Sequence, residues 1–232
     1  MNNSLAIITA RGGSKRIPRK NIKSFLGKPI IAYSLEAALN SGCFTEVMVS
    51  TDDEEIANIA ISLGAKVPFL RSANAADDFS TTAEVILEVL ESYKNIGVHF
   101  KSACCIYPTA PFVTAEKLKS AYDLLINKKV DSVIPITEFS FPILRSFLLN
   151  EDETIQFNWP ENALKRSQDL PKSYHDCGQF YFFNVISFLE NKKLVMQNTA
   201  AILMPNTEVQ DIDTEEDWTL AEIKYSFLKK YK

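Results

Sequence analysis

Short, unbroken apolar runs alternate with stretches of helical periodicity along most of this chain, and that alternation narrows its choice of fold more than any other feature. Leu5-Ala6-Ile7-Ile8, Val47-Met48-Val49, residues 67–70 and residues 103–107 read as strands. Strands without polar alternation are covered on both faces, as in a parallel sheet flanked by helices. Between them, Ile30, Ile31, Leu35, Ala38 and Leu39 recur at helical spacing, with Pro29 in the first turn and Gly42 at the end. Asp52 with Glu55 predicts the cap of a helix through Ile56, Ile59, Ala60 and Leu63 that Gly64 closes. After a polar loop, 71–80, Val85, Ile86, Val89 and Leu90 mark a helix, and Leu118, Tyr122 and Leu125 another. The expected class is α/β with a mostly parallel sheet.

From 137 to 175 the rhythm breaks. Phe139, Phe141, Phe147, Phe157, Trp159, Pro142 and Pro160 lie in short alternating runs, which suit either a subunit interface or extra β-structure packed on its own chain. The α/β pattern then resumes with strands at 179–185 and 201–204, and Thr214 with Asp217 caps a closing helix through Leu220, Ile223 and Phe227. No linker composition interrupts the chain, so one domain, 1–232, carrying an insertion at about 137–175, is expected.

Charge is distributed unevenly. The net charge is -4, yet the first 35 residues hold no acid, and seven basic residues crowd between Arg11 and Lys28: Arg11, Lys15, Arg16, Arg19, Lys20, Lys23 and Lys28. The cluster opens at Thr9-Ala10-Arg11-Gly12-Gly13-Ser14, just past the first strand, where ligands of open α/β sheets bind. Paired glycines that bring N–H groups near a ligand, a hydroxyl and several cations suit a polyphosphate, although an exposed basic turn that binds nothing has the same composition. Neither a G-x-x-x-x-G-K-[ST] loop nor a G-x-G-x-x-G fingerprint is present.

Mild acidity argues against a nucleic-acid partner. No apolar stretch reaches membrane-spanning length and no signal-peptide pattern opens the sequence, so a cytoplasmic location without a membrane partner is expected. Cys43, Cys104, Cys105 and Cys177 form no C-x-x-C and are expected to be reduced thiols.

Asp211 and Asp213 alternate about Ile212, so an extended backbone turns both carboxylates to one face and Ile212 into the core. Such a pair can hold Mg²⁺, or it can be solvated acids beside a helix cap.

Taken in order, Ala6 to Lys15 followed by Lys20-Asn21, Ser50-Thr51-Asp52, Arg71 leading to Ser80-Thr81-Thr82, Tyr107-Pro108-Thr109-Ala110-Pro111 and Gln210-Asp211-Ile212-Asp213-Thr214 resemble the motifs of the CMP-sialic acid synthetase (acylneuraminate cytidylyltransferase) family. Arg166-Ser167-Gln168-Asp169-Leu170, Tyr174-His175-Asp176 and Phe180-Tyr181-Phe182 resemble the branch of that family that activates pseudaminic acid. Tyr107 stands where sialic acid enzymes usually carry Gln, and Val113 where an Arg follows the Pro-Thr turn, so their sugar pocket does not carry over unchanged.

The resemblance implies a Rossmann-like, three-layer α/β/α nucleotidyltransferase whose insertion pairs subunits in a homodimer. In such an enzyme the anomeric hydroxyl of an acidic nine-carbon sugar attacks the α-phosphorus of CTP, forming a CMP-sugar and pyrophosphate. It assigns Ala10, Arg11, Gly12, Gly13, Ser14, Lys15, Lys20, Asn21, Arg71, Thr81 and Thr82 to the nucleotide, with Arg11, Lys20, Asp211 and Asp213 catalytic. Mg²⁺ falls to Asp211 and Asp213, and the sugar to Tyr107, Arg166, Gln168, His175 and Tyr181. His175 is open to a second reading, a buried histidine bonded to backbone, as are Tyr107 and Tyr181, which also read as core. Competing functions are a synthetase for legionaminic, sialic or an eight-carbon keto-deoxy acid, and a nucleotide-binding module without catalysis.

Overall fold

The computed structural model describes residues 3–72, 75 and 80–231. Strand β1 (Ser4–Thr9) lies between β4 (Glu46–Ser50) and β5 (Ser102–Ile106) and runs parallel to both. Beyond β5, β10 (Phe180–Asn184) runs antiparallel between β5 and β6 (Ser132–Glu138), and β11 (Thr199–Leu203) returns parallel to β6. The order β11-β6-β10-β5-β1-β4 is that of a mostly parallel sheet with one reversed strand, and β9 (Tyr174–Asp176) adds antiparallel to β6.

Alternation within the strands assigns the two faces. Ala6, Ile8, Val47, Val49, Cys104 and Ile106 pack against α1 (Ile31–Asn40), α2 (Glu54–Ser62) and α4 (Ala115–Lys128). Leu5, Ile7, Met48, Ala103 and Cys105 meet α3 (Thr82–Asn95) and α5 (Val185–Asn191) on the other side. The expected three layers are present, and their core strands place Thr9, Ser50 and Ile106 at one carboxyl edge.

A separate cluster positions the basic segment. Leu26 and Gly27 both have positive φ, the conformation of a two-residue hairpin turn, and join β2 (Ser24–Phe25) to β3 (Lys28–Pro29). Phe25, fully buried, packs edge-on against Tyr33, Trp218 and Tyr225 at 5.4, 5.6 and 5.7 Å. Ile17, Ile30 and Ile212 join that cluster, so the closing helix α6 (Glu215–Tyr231) and the segment before it are clamped to the basic loop. Pro29 therefore belongs to a hairpin and not to the first turn of a helix, which starts at Ile31.

Three further expectations need correction. Residues 67–70 are not a strand: a single parallel bridge joins Lys66 to Met48, and Pro68, lacking an N–H, follows two residues on. The cap of α2 is Asp53, which accepts the Ile56 N–H, while Asp52 turns to the basic loop. Strand β6 and helix α5 were not expected; Pro135 breaks the apparent run of one, and seven residues are too few for periodicity in the other. Of the polar loop 71–80, residues 73, 74 and 76–79 lie outside the described residues. The cap of α6 is as expected, with Thr214 and Asp217 exchanging side-chain to backbone hydrogen bonds.

Between β6 and β9, β7 (Phe147–Leu149) and β8 (Ile155–Phe157) form a two-stranded sheet apart from the main one. The register sets Phe147 opposite Phe157 and Leu149 opposite Ile155, four apolar side chains on one face. No helix among the described residues is long and apolar enough to cross a membrane.

Candidate active site

A cleft of about 640 Å³ opens beyond the carboxyl ends of β1 and β5. Arg11, Ser14, Lys15, Lys20, Asn21, Arg71, Thr82, Tyr107 and Asp213 of the expected residues line it, and Thr9, Arg16, Ser80, Pro108 and Thr109 join them. Sequence reasoning gave Arg16 no task, although it lies within the basic cluster.

The loop is braced by acids from the neighbouring strand end. Asp52 accepts the Gly12 N–H at 2.9 Å, so that N–H is committed to a protein carboxylate. Gly12 is needed for close approach: a Cβ there would stand 2.8 Å from Asp53 Oδ2, whereas one at Gly13 meets open space. Asn21, buried, donates to the Arg11 carbonyl at 2.8 Å and so holds the loop's backbone from beneath. Arg19, in the left-handed region, grips Asp53 through both terminal nitrogens.

That grip holds the Asp53 carboxyl below the usual carboxylate range, with the Arg19 hydrogen bond as the main cause. A lowered pKa stabilises the fold above the ordinary carboxylate value of about 3.9 and stops doing so as pH falls through the lower folded value. Asp53→Asn is thus expected to cost about 1 kcal/mol at neutral pH, and thermal melts from pH 6 down to pH 3 should show the gap from wild type closing.

The C-terminal acids face the same loop. Arg16 donates to Asp213 Oδ1 at 2.8 Å, and Lys20 Nζ lies 3.6 Å from that oxygen while donating to the Ile212 carbonyl at 2.5 Å. Ile212 points into the core at 1% exposure, as its place between two acids predicts. Partial desolvation, then the Asp213 charge, raise the Asp211 carboxyl above the usual carboxylate range. Asp211 approaches Gly178, where a Cβ would lie 3.8 Å from its Cγ.

Two carboxylates whose charges oppose each other, Asp213 adding to the desolvation that raises Asp211, are donors of the type that suits a hard divalent cation. No group of three His, Cys, Asp or Glu gathers as a metal site among the described residues, so the remaining positions would fall to phosphate oxygens and water.

The side of the cleft beside Ser50 is drier. Arg71 is 8% exposed and donates to the Ser50 carbonyl at 2.7 Å and the Ser50 hydroxyl at 3.1 Å, and burial pulls its pKa down. Thr82 lines the cleft, but Thr81 is the N-cap of α3, committed to a reciprocal box with Glu84. Tyr107 reaches Thr82 at 3.3 Å through its hydroxyl, and its ring lies 5.5 Å from that of Tyr181. The Tyr181 hydroxyl donates to Asp176.

The remaining expected sugar residues stand apart from this cleft in a single chain. Arg166 pairs with Asp169 in the insertion, and Gln168 lines a separate cavity of about 300 Å³ with Phe139 and Phe141. His175 packs on Phe139 at 4.7 Å with Nδ1 2.9 Å from the Asp176 carbonyl; it is bonded to backbone as its second reading has it, but it is exposed and not buried. All four cysteines are free and buried; burial pushes the Cys105 and Cys177 thiols up to about 12.

Among solved structures, a CMP:2-keto-3-deoxy-manno-octonic acid synthetase complexed with CTP superposes with a TM-score of 0.69 at 16% identity, covering 99% of this chain and 100% of that one. The 4-diphosphocytidyl-2C-methyl-D-erythritol synthase of Anaerococcus prevotii follows at 0.61 and 15%, covering 97% and 99%. At such identities the likeness speaks for the fold, that of nucleotidyltransferases. The family described as Cytidylyltransferase matches residues 5–206. A Campylobacter jejuni pseudaminic acid cytidylyltransferase is 45% identical over 225 residues, 96% of either chain. The Legionella pneumophila CMP-N,N'-diacetyllegionaminic acid synthase is 35% identical over 223 residues, 94% of either. The chain belongs to the cytidylyltransferase family, as the ordered motifs imply.

Proposed function

We propose that this chain transfers CMP from CTP to the anomeric hydroxyl of pseudaminic acid and releases pyrophosphate. Its greater identity to the pseudaminic acid relative than to the legionaminic one carries the choice of sugar. The chemical demand is neutralisation, because CTP brings about four negative charges and the sugar carboxylate one more. Arg11, Lys15 and Lys20 with the Ser14 hydroxyl hold the triphosphate in the basic part of the cleft. Arg71 and Thr82 border the cytidine, and Tyr107 with Tyr181 forms the wall for the sugar. Asp211 and Asp213 hold Mg²⁺, which when bound polarises phosphate oxygens as a Lewis acid. Arg16, which donates to Asp213, lines the same cleft and would take a phosphate oxygen instead, leaving that carboxylate to the cation.

Arg166, Gln168 and His175 act on the sugar from a second copy of the chain, in the same cytoplasmic enzyme. The apolar face of β7 and β8 supports this reading: Leu149 is 74% and Ile155 61% exposed, and an isolated two-stranded sheet is marginal in water unless something covers it. Leu149→Asp with Ile155→Asp should convert a dimer to a monomer in light scattering and lose sugar binding before CTP binding. A monomeric wild type with full activity would exclude the shared site.

Specificity is tested by comparing kcat/KM for pseudaminic, legionaminic, sialic and eight-carbon keto-deoxy acids, each with CTP and Mg²⁺. The expected preference is for pseudaminic acid, and a preference for another acid reassigns the sugar.

A further inference from the structure

Asp176, at the end of β9, has a carboxylate with two separate tasks. Its Oδ1 accepts the Gly178 N–H at 2.8 Å, closing the turn into β10, where Gly178 has φ +60°. Its Oδ2 accepts the Tyr181 hydroxyl at 2.7 Å. The turn requires only the first bond. Tyr181 is 5% exposed, and a buried phenol needs a partner, but a charged acceptor bonds more strongly and with tighter geometry than the carbonyl or hydroxyl that would suffice.

These contacts extend in both directions. Tyr181 meets Tyr107, whose hydroxyl lies 3.3 Å from Thr82 Oγ1, and both Tyr107 and Thr82 line the nucleotide cleft. On the other side, Gly178 lies against Asp211, the carboxylate assigned to the metal. The wall that spans nucleotide and acid pair thus has Asp176 at its centre. The acceptor hydroxyl must come between those two groups to reach the α-phosphorus, so this wall is the surface on which the sugar rests. Strand alternation explains why Asp176 has this place and His175 does not: neighbouring residues point to opposite faces, and the His175 ring packs on Phe139.

Resting on the function proposed above, we infer that Asp176 is a positioning residue for the acceptor sugar, fixing Tyr181 and through it Tyr107, and holding the Gly178 turn beside Asp211. In the full-length enzyme with Mg²⁺, Tyr181→Phe is expected to raise the sugar KM by about tenfold, the loss of one charge-assisted hydrogen bond. Its CTP affinity, measured by calorimetry without sugar, should not change. Asp176→Asn should give the same split, Asp176→Glu should recover part of the loss, and the double variant Asp176→Asn/Tyr181→Phe should be no worse than Asp176→Asn alone, because both changes remove one bond. Should Asp176→Asn fail to fold, Tyr181→Phe leaves the Gly178 turn intact and decides the matter. A wild-type sugar KM in Tyr181→Phe, CTP affinity falling in step with sugar affinity, or effects that multiply in the double variant would each overturn the inference. A wild type that forms no CMP-sugar overturns the functional reading and this inference with it; an active wild type with indifferent variants overturns this inference alone.

Discussion

Asp213→Ala is expected to lower turnover by on the order of 10³-fold, about 4 kcal/mol of transition-state stabilisation. The side chain is a proposed metal ligand and also the acceptor for Arg16, so its removal costs the cation an oxygen and leaves a loop cation unanchored. The fold should survive, because the carboxylate is 41% exposed and no core cavity opens. Thermal melts near wild type with turnover close to background are the expected pair of results. Asp211→Ala should also be severe, but excess Mg²⁺ should restore part of it, since Asp213 still faces the loop. Unchanged activity of Asp213→Ala at limiting Mg²⁺ would withdraw the metal assignment.

Lys20→Ala should produce the second largest loss, about 1.5–3 kcal/mol in kcat/KM for CTP, or roughly 10- to 150-fold. Lys20 ties the basic loop to the acid segment through the Ile212 carbonyl while standing beside Asp213, so it serves triphosphate binding and the geometry of the acid pair together. Both KM for CTP and kcat should therefore change. Lys20→Arg should recover little, because a planar guanidinium cannot take the position of a compact ammonium 2.5 Å from that carbonyl. If KM for the sugar alone changed, the basic loop would have to be reassigned to the acceptor.

Much of this site was legible because its parts obey local rules. The apolar run of β1 ends where the basic loop begins, and a D-x-D about a buried isoleucine needs only strand alternation. What escaped depended on contacts distant in sequence. Asp52 and Asp53 are adjacent acids before a helix, and only the loop packed against them decides that Asp53 caps α2 while Asp52 takes the Gly12 N–H. Gly12 also lacks a Cβ for a reason that composition does not announce, the close approach of Asp53. Strand β6 was hidden by Pro135, and the reversed strand β10 between parallel neighbours has no signature in its own apolar pattern. Arg166 and Gln168 sit in the insertion, away from the cleft of their own chain, a separation that no local pattern announces. Asp176 stands in the Tyr174-His175-Asp176 motif, but only its contacts with Gly178 and Tyr181 separate its role from that of the histidine beside it.

Mass spectrometry of a reaction containing the purified chain, CTP, Mg²⁺ and pseudaminic acid, with pyrophosphate followed in parallel, decides whether this chain makes the CMP-sugar. One CMP-pseudaminic acid for each pyrophosphate released, and no covalently modified enzyme, are expected. CTP consumed without a CMP-sugar, or no pyrophosphate from CTP with this or any other acidic sugar, would contradict that function.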